Sequence, residues 1–251
     1  MSQVFGNLTS DGLEETQDRL GGFKTRESAA YTGVIKAAYA GKAAASNAQN
    51  VTIMLDLPDG ESRETLWVTN KTGQNFFIDK RDNTKKVSLP GFTVVDDICL
   101  VTTNKPLSQQ VAEDKVMNVY DPEHKKELPK SVPMLVDLIG KTVTLGMLKE
   151  IRNKQVKSTA TGEYEDTPET REENLTDKVF HHPSNLTVVE ARKGIQTATF
   201  FQAWCEKNTG VTRDRRNIKD GVASQGGRPG RPAGAPPTAA DSAAKTSSLF
   251  S

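Results

Sequence analysis

Between Tyr31 and Phe77 apolar and polar residues alternate with the period of extended strands. The run YTGVIKAAYA favours β structure and stops at Gly41. After an Ala/Asn-rich connection, Val51 to Leu57 places Val51, Ile53, Leu55 and Leu57 on one face, with Thr52, Met54 and Asp56 on the other. Pro58-Asp59-Gly60 supplies a turn. From Glu64 to Asn70 the same parity directs Leu66 and Val68 inward and Thr65, Trp67 and Thr69 outward.

Further along, the pattern weakens. Leu89-Pro90-Gly91-Phe92 reads as a turn, and Val94 to Thr102 as a short helix or bridging segment. Asp114 to Tyr120 is a strand stopped by Asp121-Pro122, and EHKKELPK is a loop. Thr142 to Ile151 predicts a long strand in which Gly146 marks a bulge or bend. Residues 153–183 are polar and aperiodic, a poorly ordered excursion; Val179-Phe180 and Leu186 to Glu190 resemble strand material returning to the sheet. Ala191 to Gly194 turns the chain into an amphipathic helix over Thr199 to Lys207, with Phe200, Phe201 and Trp204 in the core and Gly210 ending it. The expected fold is mainly β: five strands and a bridging element matching the oligonucleotide-binding (OB) barrel, with extra strands and a short C-terminal helix.

This divides the chain into an N-terminal arm (1–28), a folded domain (29–210) and a disordered tail (211–251). The tail is rich in Pro, Gly and Ala and cannot bury enough apolar surface to offset its ordering entropy. It carries seven Lys or Arg against three Asp, although the whole chain has a formal net charge of only +1. Long-range attraction for polyanions is thus concentrated there. Leu249-Phe250 at its end has the form of a peptide that docks into a partner.

The composition, 35% hydrophobic and 26% charged, contains no apolar run near the roughly 20 residues of a membrane helix, and the N-terminus does not read as a secretion signal. A cytoplasmic protein without a membrane partner is expected. Cys99 and Cys205 fit reduced structural thiols. Gly140-Lys141-Thr142 lacks the upstream glycine of a phosphate-binding loop, because Leu stands at position 135. His124, His181, His182 and Cys205 lack zinc-site spacing. The carboxylates of EYEDTPETREEN read as a solvated loop. No catalytic group, metal or cofactor is expected.

An outward indole needs a reason. Either a later segment covers Trp67, or it stacks on bases. Past it, Lys71, Gln74, Asn75, Phe76, Phe77, Lys80, Arg81, Lys85 and Lys86 interleave aromatic faces with cations, the mixture that suits single-stranded nucleic acid. The stacking candidates are Trp67, Phe76, Phe77, Tyr31 and Tyr39; the phosphate candidates are Lys36, Lys42, Lys71, Lys80, Arg81, Lys85 and Lys86. Tyr31 and Tyr39 share the parity of Ile35, which leaves burial in the core open for both. A peptide-binding scaffold module is the main rival; a nuclease using the acidic loop is the other.

LGGFKTRESAAYTGVIKAAYAGKA, LWVTNKTGQNFF, KKVSLPGF and ELPKSV…LIGKTVTLGML resemble the single-stranded DNA-binding proteins of lytic tailed bacteriophages, over roughly residues 18–155. The resemblance implies an OB-type barrel that coats and protects single strands, largely without sequence preference, during phage replication and recombination in the infected bacterial cytoplasm. It also implies recruitment of replication or transcription proteins through the tail. Many such proteins end in an acidic tail with an aromatic tip. This tail is basic and keeps only Leu249-Phe250, so it is expected to add DNA affinity.

Overall fold

The first alternating run forms three consecutive antiparallel strands, β1 (Ala29–Lys42), β2 (Gln49–Leu57) and β3 (Gly60–Trp67). The computed structural model describes residues 25–43, 46–121, 124–159, 162, 164–219 and 222–223. Leu57 pairs with Gly60, whose φ of 119° favours glycine over any residue with a Cβ. Strands β4 (Phe76–Ile78) and β5 (Lys86–Ser88) form a separate hairpin that leads into helix α1 (Pro90–Thr103). Two longer hairpins follow: β6 (Ala112–Asp121) with β7 (Lys126–Leu135), and β8 (Thr142–Lys157) with β9 (Tyr164–His181). Helices α2 (Val188–Arg192) and α3 (Phe200–Asn208), then β10 (Thr212–Asp214), β11 (Ile218–Lys219) and β12 (Val222–Ala223), complete the order.

The main sheet runs β10-β8-β1-β2-β3, with β9 added to β8, and β7 joined to β1 and β6. Among the described strands only β10 on β8 is parallel. β8 pairs with the first half of β1, from Ala29 to Val34, and β7 meets the second half where Tyr39 faces Met134. Among the described residues β3 pairs with β2 alone, so the sheet is open and is not closed by backbone hydrogen bonds. Side chains bridge the gap: Glu64 on β3 accepts from Thr176 N at 3.4 Å and Thr176 Oγ1 at 2.5 Å on β9.

The core is built as the alternation requires. Val51, Ile53, Leu55, Leu57, Leu66 and Val68 join Ile35, Ala38, Val143 and Leu145, and α1 covers them with Val95, Ile98 and Cys99. Each Val, Leu or Ile among them removed from water contributes roughly 1.5–3 kcal/mol. A smaller group, Phe180 with Leu148 and Trp204, seats α3. Gly146 does two jobs there: the β8–β9 register shifts beside it, and a Cβ would stand 2.8 Å from the Trp204 ring.

Several segments depart from the expectations. Leu89 to Phe92 is the first turn of α1, with Leu89 as cap and Pro90 in the first helical turn, where its missing N–H costs nothing. The loop EHKKELPK instead supplies β7 from Lys126 onward. β7 meets β1 only at Met134, so Pro129 and Pro133 can turn their missing N–H groups to the open edge. The polar excursion is the far end of the β8–β9 hairpin, stable as a ladder without apolar alternation: Arg152 bridges Glu150 and Glu173, and Lys154 meets Glu169. Leu186 to Glu190 enters helix α2 through a capping box, with Thr187 and Glu190 exchanging hydrogen bonds. Phe201 and Trp204 pack inward, whereas Phe200 is exposed.

The chain ends were also divided differently. Residues 1–24, and with them most of the arm, lie outside the described residues, but Arg26 to Ser28 are pinned: Arg26 bonds Asp59 and Asn174, and Ser28 is buried and donates to Val211 O. At the other end β10 is paired with β8, and Asn153 Oδ1 accepts from Asn217 N and Ile218 N, so residues 211–218 belong to the fold. Residues 224–251, including Leu249 and Phe250, lie outside the described residues. No described helix is long and apolar enough to cross a membrane.

Candidate nucleic-acid interface

Directly paired residues in an antiparallel ladder point to the same face. Trp67 pairs with Asn50, and Asn50 with Gly41; one step along, Thr65 pairs with Thr52 and Thr52 with Tyr39. These rows form the outer face of β1–β3, opposite the core. Trp67 is 48% exposed there. Thr52 and Thr65 join hydroxyls at 2.8 Å, and Asn50 Oδ1 lies where a Cβ on Gly41 would be, 2.7 Å away. The alternation that turned Trp67 outward also places Arg63, Thr65 and Asn50 on this face, yet none was among the residues selected from sequence.

Tyr39 is a correction. A β-bulge between Ile35 and Ala37 reverses the parity, so Ile35 and Ala38 face the main core while Ala37 and Tyr39 face outward. There β6 and β7 cover them with Val132, Met134, Met117 and Val119. Tyr39 is 5% exposed and its hydroxyl accepts from Arg63 Nη2 at 2.7 Å, so no base can stack on it. Tyr31 is half-buried against the main core and donates to Glu27 O; burial, then the nearby Asp59, pushes its phenol pKa up. It too is placed for packing.

The cations separate into two groups. Lys36 is exposed, but it is paired with Glu61 at 3.1 Å, which raises its pKa. It sits about 20 Å along β1 from Lys42, away from the end of the sheet that carries Trp67. Lys42 is exposed at the end of β1, opposite Gln49, whose carbonyl accepts from Val68 N and Thr69 N. That hydrogen bonding places Lys42 at the same end as Trp67, and Lys71 follows there, its carbonyl accepting from Asn47 N.

The aromatic–cation loop is ordered. In the β4–β5 hairpin Phe76 pairs with Ser88, Phe77 with Val87 and Ile78 with Lys86. Phe77 is 44% exposed, Ile78 is exposed too, and Lys86 Nζ lies 4.6 Å from the centroid of the half-buried Phe76 ring. The tip is held by its two carboxylates. Asp79 Oδ1 accepts from Arg81 N, and Asp82 Oδ1 accepts from Thr84 N and Oγ1, which lowers the Asp82 pKa. Residues 71–86 carry five cations against these two acids, and among the described residues none of Lys71, Lys80, Arg81, Lys85 and Lys86 has a carboxylate within ion-pair distance. The β8–β9 hairpin is different: Arg152, Lys154 and Arg171 are each neutralised by a glutamate.

Cys99 is buried, with its thiol pushed up to about 12 by burial and then by Asp96; Cys205 is half-buried and also raised. Lys141 enters strand β8 and not a helix, so no phosphate loop forms. Among the described residues no group of His, Cys, Asp and Glu is placed to hold a metal. Arg213 and Arg215 of the basic C-terminal stretch contact Asn208 and Glu150. No protein-family model matches the chain, and no curated protein is similar to it.

Proposed function

We propose that this chain binds single-stranded DNA without catalysis and largely without sequence preference. The observation that carries the reading is the β4–β5 hairpin with the loop before it. Five cations that, among the described residues, have no carboxylate within ion-pair distance are interleaved there with Phe76 and the exposed Phe77, and Asn70, three residues past the exposed Trp67, hydrogen-bonds the Phe76 backbone. Every base offers a face for stacking and every linkage a phosphate, so this surface suits a single strand better than a duplex. In this reading β1–β3, α1 and the β6–β9 hairpins are an elaborated OB barrel whose last gap is bridged by Glu64 and Thr176. The resemblance to bacteriophage proteins adds the setting: coating and protecting single strands during replication and recombination in an infected bacterial cytoplasm. The basic tail then adds phosphate contacts, and Leu249-Phe250 recruits replication or transcription proteins.

The test is titration of the intrinsic tryptophan fluorescence with oligo(dT) and with duplex DNA, at low and moderate salt. Quenching by the single strand, weakened by salt at about 0.7 log units of affinity per log unit of salt for each phosphate contact, supports the reading. Absence of both quenching and gel retardation overturns it. The interaction-module alternative rests on β6, whose exposed Val116 and Tyr120 stand on a strand that, among the described residues, pairs with β7 alone. It expects little salt dependence of DNA binding.

A further inference from the structure

The exposed ring of Trp67 belongs to β3 and the hairpin aromatics to β4, two strands that share no backbone ladder. Something else must set the space between them, and Asn70 lies in the loop that joins them. Its Oδ1 accepts three hydrogen bonds, from Thr72 N at 3.0 Å, Thr72 Oγ1 at 2.7 Å and Gln74 N at 2.9 Å. Its Nδ2 donates to Phe76 O at 3.2 Å. The main chain closes the same loop, with Asn70 N donating to Gln74 O and Gly73 N to Asn70 O. Both functional ends of one carboxamide are therefore used, and the donor end holds the backbone of Phe76, three residues beyond Asn70's partner Gly73. Asn70 is itself three residues past Trp67. Gly73 has a φ of 85°, the conformation that lets the loop turn back. From the far side Leu89 N donates to Asn75 O, so β5 and the start of α1 are tied to the same loop.

We infer that Asn70 is a positioning residue that sets the placement of the Phe76-Phe77 strand relative to Trp67 before any ligand binds. This rests on the proposed function for its purpose, though not for its geometry. A carboxamide is required because the site needs an acceptor and a donor on one short side chain. Asp keeps the acceptor and sets a carboxylate against the Phe76 carbonyl; Ala removes both. Prepaid ordering of the loop lowers the entropy a strand must surrender on binding. Lys80, Arg81 and Lys85 lie at the hairpin tip, beyond the residues that Asn70 holds, so their phosphate contacts are expected to persist in its variants.

The experiment uses the full chain labelled with 5-fluorotryptophan, whose two indoles are assigned by Trp67→Phe. In the free protein, Asn70→Ala should move or broaden the Trp67 fluorine resonance and leave that of Trp204, in the α3 core, in place. Asn70→Asp should do so to a lesser degree. Affinity for oligo(dT) should fall about tenfold in Asn70→Ala, the value of one misplaced stack, with an unchanged salt slope. A Trp67 resonance identical in wild type and Asn70→Ala overturns the inference, as does an unchanged oligo(dT) affinity in a protein that binds. If the wild type does not bind oligo(dT), the proposed function fails, while the resonance of the free protein still decides whether Asn70 sets the loop. Loss of both resonances to the unfolded position would show a general folding role and would overturn the specific one.

Discussion

Lys86 Nζ stands 4.6 Å from the centroid of the Phe76 ring, one residue from Val87, which pairs with the exposed Phe77. The ammonium is thus held over one aromatic face while its remaining donors are open to an anion. The exposed ammonium can meet a phosphate while it stays over the ring. Replacing it with Gln should reduce the salt slope of oligo(dT) binding by about 0.7 and weaken affinity at low salt. Lys86→Arg should retain both. Fluorescence anisotropy of a labelled oligonucleotide at four salt concentrations measures the slope. A slope unchanged in Lys86→Gln would remove this residue from the interface.

Trp67 and Phe77 are both surface residues, so truncating them tests binding with little effect on the core. Trp67→Ala combined with Phe77→Ala should cost on the order of 1–3 kcal/mol per lost stack. The melting temperature should change by no more than about 2–4 °C, the equivalent of roughly 1 kcal/mol in a chain of this size. Tyr39→Phe, which removes only the hydroxyl bonded to Arg63, should leave oligo(dT) affinity unchanged because that ring is buried. Reduced affinity in Tyr39→Phe together with full affinity in the double variant would reverse the assignment.

Period-two alternation predicted β2 to within two residues and the inward parity of Leu66 and Val68, because the core face of both strands is regular, and it placed Trp67 outward for the same reason; the third strand itself runs Gly60–Trp67 and not Glu64 to Asn70. It misled at Tyr39, where a one-residue bulge at Lys36 reverses the parity without leaving a mark in the pattern. It also could not see β7 or the far half of β9. Their residues are prolines and charges, and they are ordered by pairing with β6 and β8 and by ion pairs with residues distant in sequence. The turn chemistry of Asn70 and of Asp79 and Asp82 is legible as a residue type, but which donors each collects depends on the folded loop.

Helix α1 begins against the main chain of Trp67. A Cβ on Gly91 would come within 2.4 Å of Trp67 O and 3.0 Å of Trp67 N. Gly91→Ala offers up to about 1 kcal/mol of helix propensity. The clash is with backbone and cannot be relieved by a rotamer change, so an overpacking cost of about 1–3 kcal/mol should prevail. The variant is expected to melt at lower temperature and to shift the Trp67 signal, whereas Thr93→Ala on the exposed side of the same turn should do neither. A Gly91→Ala protein as stable as wild type would show that the helix end can move away.

Two carboxylates, the partly buried Asp97 and the buried Glu190, should give the stability profile opposite slopes in adjacent pH ranges. Asp97 on α1 is pushed from 3.8 up to about 6, by burial first and then by Asp96, against the attraction of Arg192 on α2 and Lys178 on β9. Between those values the folded chain holds more protons than the unfolded one, so stability should fall as pH rises through that range, by on the order of 3 kcal/mol. Glu190 goes the other way. Burial opposes its ionisation, but hydrogen bonds from Thr187 N, Phe200 N, and Thr199 N and Oγ1 prevail and hold it at about 2, down from 4.5. Its contribution, also on the order of 3 kcal/mol, is present above 4.5 and is lost as pH falls toward 2. Other acids titrate in the same ranges, so the measurement is the difference between each variant and wild type in urea unfolding from pH 2 to 7. Asp97→Asn should be more stable than wild type at pH 7, with the gain vanishing near pH 4. Glu190→Gln should be less stable at pH 7 and converge with wild type near pH 2. A constant offset across the whole range for either variant would show that its carboxylate does not titrate as its surroundings require.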